Sequence, residues 1–96
     1  MQPPEDPSQP EKTVGDSSLA GLEWERHGET LTKVVTRANF AEALAYVNAV
    51  GELAEAHNHH PDIAISWNKV TLTLTTHSAG RLTWADVEMA RAIDSI

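Results

Sequence analysis

Apolar and polar side chains alternate in several short stretches of the chain, which is the pattern of half-buried strands. Alternation is clearest in KVTLTLTTH, where Val70, Leu72 and Leu74 share one face and threonines occupy the other, because successive strand side chains point to opposite faces. His77 falls on the threonine face at the end of this stretch. Short turn sequences join the stretches into two hairpins. The predicted strands cover residues 22–26, 30–36, 63–67 and 70–77.

Two longer stretches repeat their apolar residues at helical spacing. Asn39 is a suitable N-cap for the first helix, which must end before Pro61 because proline disfavours helical geometry in the preceding residue. Thr83 caps the second helix, with Asp86 at the third helical position, as in a capping box. The apolar stripes predicted to cover the sheet are Phe40, Leu44, Val47 and Ala54, widened by Ala43, Val50 and Leu53, in the first helix, and Met89, Ala92, Ile93 and Ile96 in the second.

The order β-β-α-β-β-α predicts an α+β domain of two layers, with a four-stranded antiparallel sheet and both helices packed on one face. Residues 1–18 hold four of the five prolines and almost no large apolar side chain. Such a segment cannot offset the entropy of its ordering. We therefore predict a disordered tail over residues 1–18 and one domain over residues 19–96.

Composition excludes several classes of function. A formal charge of −7 in 96 residues makes direct binding of nucleic acid or of anionic membranes improbable. The absence of cysteine excludes disulfides, thiolate catalysis and thiolate zinc sites. Residues 1–10 carry acids and prolines where a signal peptide needs a basic start and an apolar core, and no apolar run is long enough to span a membrane. We expect a soluble, cytoplasmic protein.

The segment HNHHPD, residues 57–62, concentrates three of the five histidines. Helical zinc motifs place their ligands three or four residues apart so that two rings converge, whereas His57, His59 and His60 do not have this spacing. We therefore predict no metal site. On spacing alone, a solvated loop that ends the first helix is the favoured interpretation.

Acid/base chemistry is the alternative, because imidazoles titrate near neutral pH and can exchange protons with a substrate. This function needs groups from separate elements to meet across one pocket. The groups available are His59 and His60 from the helix end, His77 from a strand end, and the carboxylates of Glu55 and Asp86 to orient or polarise the rings.

The relative positions of these residues resemble the signature of the pterin-4a-carbinolamine dehydratase family, which is also known as the dimerisation cofactor of a homeodomain transcription factor. Three, five, nine and eight residues separate the successive parts of the signature. The surrounding segments WNKVTLTLTTH and LTWADVEMA are also similar in sequence to the central strand and the last helix of the family. The parts are Glu55, His59-His60-Pro61, Trp67, His77 and Asp86.

The resemblance implies a dehydratase (a lyase) that converts 4a-hydroxytetrahydropterin to quinonoid dihydropterin and water, in tetrahydrobiopterin recycling. It implies no cofactor, since the pterin is the substrate, and a homodimer or homotetramer. His59 and His77 would transfer protons, and His60 would mainly orient the pterin. Substrate contacts are expected from His60, Pro61 and Trp67, with packing the favoured role of Trp67, and support from Glu55 and Asp86.

Two other functions stay open for this sequence. Relatives on the same fold act as a transcription-factor dimerisation cofactor or as an assembly chaperone for the carbon-fixing enzyme of photosynthesis, so a non-catalytic interaction protein is the main alternative. Loss of the histidines would mark that class, and here all three are present. A pterin-binding protein of molybdopterin metabolism is a third interpretation, for which the sequence offers no discriminating feature.

Overall fold

A computed structural model describes residues 14–15 and 19–96. The described residues form a single antiparallel sheet in the order β1-β2-β4-β3, so that β1 and β3 are its edges. The predicted α+β class and element order are confirmed. The elements are β1 (Glu25–His27), β2 (Thr30–Thr36), α1 (Phe40–His57), β3 (Asp62–Ser66), β4 (Lys69–Leu74) and α2 (Trp84–Asp94).

Three strands differ from their predicted bounds, and β3 does so by a shift of one residue. Strand β1 begins only at Glu25, and β4 ends at Leu74, so His77 lies in the turn that follows rather than on the strand. The turn of the second hairpin consists of Trp67 and Asn68, because Ser66 pairs with Lys69. Periodicity predicts which residues alternate, whereas the limits of a strand depend on which neighbours remain within hydrogen-bonding reach.

The core lies between the helix-covered face of the sheet and both helices. The register aligns Leu31 with Leu74, and it aligns Val70 of β4 with Val35 of β2, so these side chains point to the same face. The residues with at most 1% exposure include Leu31, Val70, Leu72, Leu74, Val87, Met89 and Ile93. Threonines on alternate positions of β4 therefore point away from the core, as the alternation predicts.

The predicted stripe of α1 is confirmed only in part, since Ala43, Val50 and Ala54 are buried as predicted. Phe40 and Leu44 were expected in the core but are 45% and 44% exposed, whereas the unpredicted Tyr46 is 7% exposed. The helix carries apolar residues on most of its circumference, so periodicity alone does not define which side meets the sheet. The buried residues are Ala43, Tyr46, Val50 and Ala54.

The apolar stripe of α2 is confirmed only in part. Met89 and Ile93 are buried as predicted, together with Val87 and Ala90, which the stripe did not include. Ile96 lies beyond the end of the helix and is 51% exposed. Among the described residues, neither helix is long and apolar enough to cross a membrane.

The core position of Tyr46 depends on its hydroxyl remaining neutral. Burial raises the pKa of Tyr46, and the charges of Lys33 and Arg37 partly oppose this effect. The Arg37 guanidinium lies 4.5 Å from the centre of the Tyr46 ring, which is within the range of a cation–π contact. Tyr46 can therefore pack as an uncharged aromatic residue at neutral pH.

Val14 lies within the segment predicted to be a disordered tail, but it is 2% exposed and belongs to the hydrophobic core. Arg26 Nη1 donates a hydrogen bond of 3.1 Å to its carbonyl oxygen. At this residue the chain therefore packs onto the domain. Residues 1–13 and 16–18 lie outside the described residues, where the tail stays a prediction.

Leu72→Ala tests the position of the core. Leu72 is fully buried at the centre of β4, so its truncation removes apolar contacts and leaves a cavity, at a cost of about 2–5 kcal/mol in unfolding free energy. Leu44→Ala removes the same atoms from a half-exposed position and should cost about 1 kcal/mol or less. Urea denaturation of both variants measures the difference, and equal losses would contradict the observed orientation of α1.

Candidate active site

Four chain segments meet at one end of the sheet. Strand β3 begins next to the end of β4, since Asp62 pairs with Thr73 in the antiparallel register. The histidine segment leads from α1 into β3, and the turn containing His77 leads from β4 towards α2. Residues that are distant in sequence can therefore interact across this end of the sheet.

The end of α1 directs His59 towards the first turn of α2. Asn58 adopts a left-handed conformation with φ of 50°, and its N–H donates to Glu55 O, while His59 N donates to Ala54 O. This pair of bonds is the Schellman motif, and asparagine is one of the few residues other than glycine that tolerate the left-handed position. The helix thus stops before Pro61, as predicted, and the chain reverses at the histidines.

His59 and Asp86 form a shielded pair between the end of α1 and the first turn of α2. His59 Nε2 lies 2.6 Å from Asp86 Oδ1. The Asp86 side chain is fully buried and that of His59 is 16% exposed, so solvent screens their interaction weakly. Because a carboxylate can only accept, Nε2–H is the donor. Nδ1 of His59 is then the ring nitrogen that remains to exchange a proton with a substrate.

Asp86 also holds the beginning of α2. Its Oδ2 accepts a bond of 2.9 Å from Thr83 N, and the Thr83 side chain caps the helix in return, which completes the predicted capping box. Oδ2 accepts a second bond, of 2.8 Å, from the hydroxyl of Thr76. The same carboxylate therefore stabilises a helix end and orients an imidazole.

His60 and Glu55 form a second imidazole–carboxylate pair, but on the surface. His60 Nε2 lies 2.5 Å from Glu55 Oε2, and the two side chains are 56% and 79% exposed. Water and salt weaken such a pair considerably. The two neighbouring histidines thus differ, since one has a buried partner and the other an exposed one.

His77 is exposed in the turn that follows β4. Thr76 closes this turn, because its N–H donates to Arg81 O and its carbonyl accepts from Ala79 N and Gly80 N. Among the described residues, no side chain forms a hydrogen bond with the His77 ring. Its neighbour Thr76 bonds Asp86, so the turn carrying His77 is attached to the carboxylate that holds His59.

The two remaining predicted site residues, Pro61 and Trp67, lie at opposite ends of β3. Pro61 is buried and follows the histidines directly. Trp67 is 65% exposed and follows the other end of β3. It is five residues from Asp62, and at about 3.4 Å per residue of strand this separates the two by roughly 17 Å. Within one chain the structure does not bring Trp67 to the histidines, nor does it bury Trp67 in the core, which was its favoured role.

Two residues that support the site were not predicted. Thr76 continues the alternation of Val70, Leu72 and Leu74, which places it on the core-facing side. A hydroxyl at such a position needs a buried partner, and this could have indicated its role. Glu29, in the first hairpin turn, holds the His77 turn from the other side: its carboxylate accepts from Leu82 N at 3.0 Å, and its carbonyl accepts from Thr75 Oγ1 at 2.7 Å. No local pattern marks Glu29.

The donor set of this region favours proton exchange. Over residues 14–15 and 19–96, no three histidine or carboxylate side chains are grouped closely enough to hold a metal ion. The region instead combines two imidazoles fixed by carboxylates with a third imidazole on an adjacent turn. Fixed imidazoles of this kind act as general acids and bases. The fold and the site thus define a small α+β protein with a cluster of histidine–carboxylate pairs.

The sequence matches the family described as pterin 4 alpha carbinolamine dehydratase over residues 7–96, and the chain belongs to that family. Similar proteins carry this dehydratase name as a proposed assignment. A protein from Thermomicrobium roseum is 51% identical, over 83% of this chain and 91% of its own length. A protein from Nocardia farcinica is 47% identical, over 77% of this chain and 78% of its own length.

Solved structures give the same result for the fold. A protein from Brucella melitensis, described as a transcriptional coactivator/pterin dehydratase, has a TM-score of 0.78 and 29% identity, covering 83% of this chain and 88% of that one. A pterin dehydratase-like protein described as a RuBisCO assembly factor in the alpha-carboxysome has a TM-score of 0.62 and 22% identity, covering 81% and 90% of the two chains. The latter supports the fold alone.

Proposed function

We propose that this protein is a 4a-hydroxytetrahydropterin dehydratase that acts by histidine acid/base catalysis in the recycling of tetrahydrobiopterin, in the cytoplasm. The observation that carries the proposal is the shielded His59–Asp86 pair, connected through Thr76 to the turn that holds His77. Membership of the family supplies the substrate class. Neither a metal ion nor a redox cofactor is required in this proposal.

The reaction breaks the bond between C4a and its hydroxyl oxygen. The leaving oxygen takes a proton from one imidazole and departs as water, while a second imidazole removes a proton from a ring nitrogen of the pterin. One proton is gained and one is lost, so the product is the neutral quinonoid dihydropterin. Each transfer by a positioned side chain accelerates the reaction about 100- to 10,000-fold.

We assign the two transfers to His59 and His77 and the orientation of the pterin mainly to His60. Asp86 supports His59 because the carboxylate fixes the orientation and the tautomer of the ring. Glu55 supports His60 in the same way, with a smaller effect because both side chains are exposed. Pro61 directs the histidines into the site. Trp67 contacts the pterin in this scheme only if a second copy of the chain supplies it.

The proposal is tested by following the absorbance of freshly generated 4a-hydroxytetrahydropterin with and without protein. We expect the wild type to accelerate dehydration in proportion to its concentration. Addition of a chelator serves as the control for contaminating metal and should leave the rate unchanged. A rate equal to that in buffer contradicts the dehydratase assignment.

Self-association is part of the proposal, and β3 is the surface we assign to it. All five residues of β3 are exposed, and its outer backbone groups have no strand partner in the described part of the chain. Ile63 and Ile65 pair with Leu72 and Val70 and so share the core face, yet they are 38% and 36% exposed. An uncovered apolar edge of this kind favours pairing with another strand.

We expect Ile65→Lys to shift the protein towards monomer, because a charge on the edge opposes strand pairing. Sedimentation velocity at several concentrations measures the change. Val34→Lys is the matched control, since Val34 is 58% exposed on the opposite face of the sheet, where it pairs with Thr71. If the oligomer dissociates in Val34→Lys but not in Ile65→Lys, the interface lies on another surface.

An interaction protein without catalytic activity is the second candidate. The observation in its favour is the name of the Brucella melitensis structure, which combines a coactivator with a dehydratase. Intact His59, His60 and His77 favour catalysis here, since a purely structural role does not require imidazoles at these positions. The rate measurement above separates the two functions.

A further inference from the structure

Thr76 stands between the two halves of the candidate site. It follows β4 at a core-facing position, and its hydroxyl oxygen lies 2.8 Å from Asp86 Oδ2 and 2.6 Å from Thr83 Oγ1. Both partners are fully buried. Its hydroxyl is therefore held by two groups that solvent does not reach, one of which is the partner of His59.

The direction of these hydrogen bonds follows from their partners. Asp86 Oδ2 can only accept, so the Thr76 hydroxyl donates to it and in turn accepts from the hydroxyl of Thr83. With the Thr83 N–H also donating to Oδ2 at 2.9 Å, this oxygen is held from two sides. The carboxylate then cannot rotate, and Oδ1 stays directed at His59 Nε2.

The backbone of Thr76 has a second role. Its N–H and carbonyl close the turn of residues 76–81, which carries His77. One residue thus fixes the carboxylate behind His59 through its side chain and the turn of His77 through its main chain.

We propose that Thr76 is a positioning residue that holds His59 in the Nε2–H tautomer and aligns it with the turn of His77. The catalytic part of this inference rests on the proposed dehydratase function, whereas the tautomer part does not. Because general acid/base transfer requires a defined geometry, we expect loss of the hydroxyl to lower kcat about 10- to 100-fold and to change KM by less than about twofold.

The test compares Thr76→Val, Thr76→Ser and Thr75→Val with the wild type. Valine preserves shape without the hydroxyl, and serine restores it. Thr75→Val is the matched control, because it removes a neighbouring hydroxyl that bonds Glu29 O instead of Asp86. Imidazole ¹⁵N NMR, assigned with His59→Ala, reports the His59 tautomer in the free protein, and kcat and KM are measured in parallel.

We expect Thr76→Val to give a mixture of His59 tautomers and a lower kcat, with both restored in Thr76→Ser and with the His59 tautomer unaffected in Thr75→Val. An unchanged tautomer in Thr76→Val, or an equal change in Thr75→Val, overturns the inference. If Thr76→Val does not fold, Thr76→Cys provides the same comparison with a weakly donating thiol. If the wild type shows no dehydratase activity, the proposed function fails, but the NMR comparison still decides the role of Thr76.

Discussion

His59→Ala and His77→Ala should each lower kcat for dehydration of 4a-hydroxytetrahydropterin by about 100- to 10,000-fold, because each removes one of the two proton-transferring groups. His60→Ala should act more on KM, since its proposed role is to orient the pterin. Steady-state kinetics followed by absorbance, with circular dichroism to verify folding, measures all three effects.

His27→Ala is the control for these substitutions. His27 is also exposed and paired with a carboxylate, Glu25 Oε2 at 3.3 Å, but it belongs to β1, at the sheet edge opposite β3. Its removal should leave kcat and KM unchanged. Should His59→Ala and His77→Ala retain nearly full activity in a protein that accelerates the reaction, the acid/base assignment is wrong even though the enzyme class is right.

Asp86→Asn should lower kcat by about 100-fold or more, because the amide cannot accept on both sides of the carbon as the carboxylate does. In one orientation the asparagine NH₂ group faces Thr83 N–H and the Thr76 hydroxyl, where the carboxylate oxygen accepted. In the other orientation the NH₂ group faces His59 and cannot accept from its Nε2–H. Loss of charge-assisted bonds at a fully buried position should also cost about 2–4 kcal/mol of unfolding free energy. Kinetics and urea denaturation measure the two effects separately.

Asp94→Asn is the matched control for this loss of stability. Asp94, the last residue of α2, accepts from Trp24 Nε1 at 2.8 Å and from Lys33 Nζ at 2.5 Å, and its side chain is 18% exposed. We expect Asp94→Asn to reduce stability by about 1–3 kcal/mol with little change in kcat. A comparable loss of kcat in both variants would mean that Asp86 affects activity through folding alone.

The double role of Asp86 links the folding of α2 to the chemistry of the site. Its capping-box position can be derived from the sequence, because the N-cap and the third helical residue are fixed by local spacing. Its contact with His59 spans 27 positions and depends on how α1 and α2 pack. The local sequence therefore predicted the capping role of Asp86, and the tertiary structure revealed its contact with His59.

The orientation of α1 shows the limit of periodicity. Apolar residues surround most of this helix, so several rotations offer an acceptable buried stripe. Contact with α2 and the sheet selected the stripe that contains Tyr46 and left Phe40 and Leu44 exposed. Trp67 illustrates the same limit at longer range: its spacing fits the family signature, but β3 separates it from the histidines within one chain.

The sequence by itself determined the order of elements, the α+β class, the N-caps of both helices, and the histidines and carboxylates of the candidate site, because alternation, capping and family spacing can be read along the chain. Only the tertiary structure decided which imidazole acquired the buried carboxylate. His59 and His60 are adjacent and chemically identical, yet α2 brings Asp86 to one while Glu55 on the surface meets the other. The physical reason is that shielding from solvent, which makes the first pair strong, arises only when separate elements pack together.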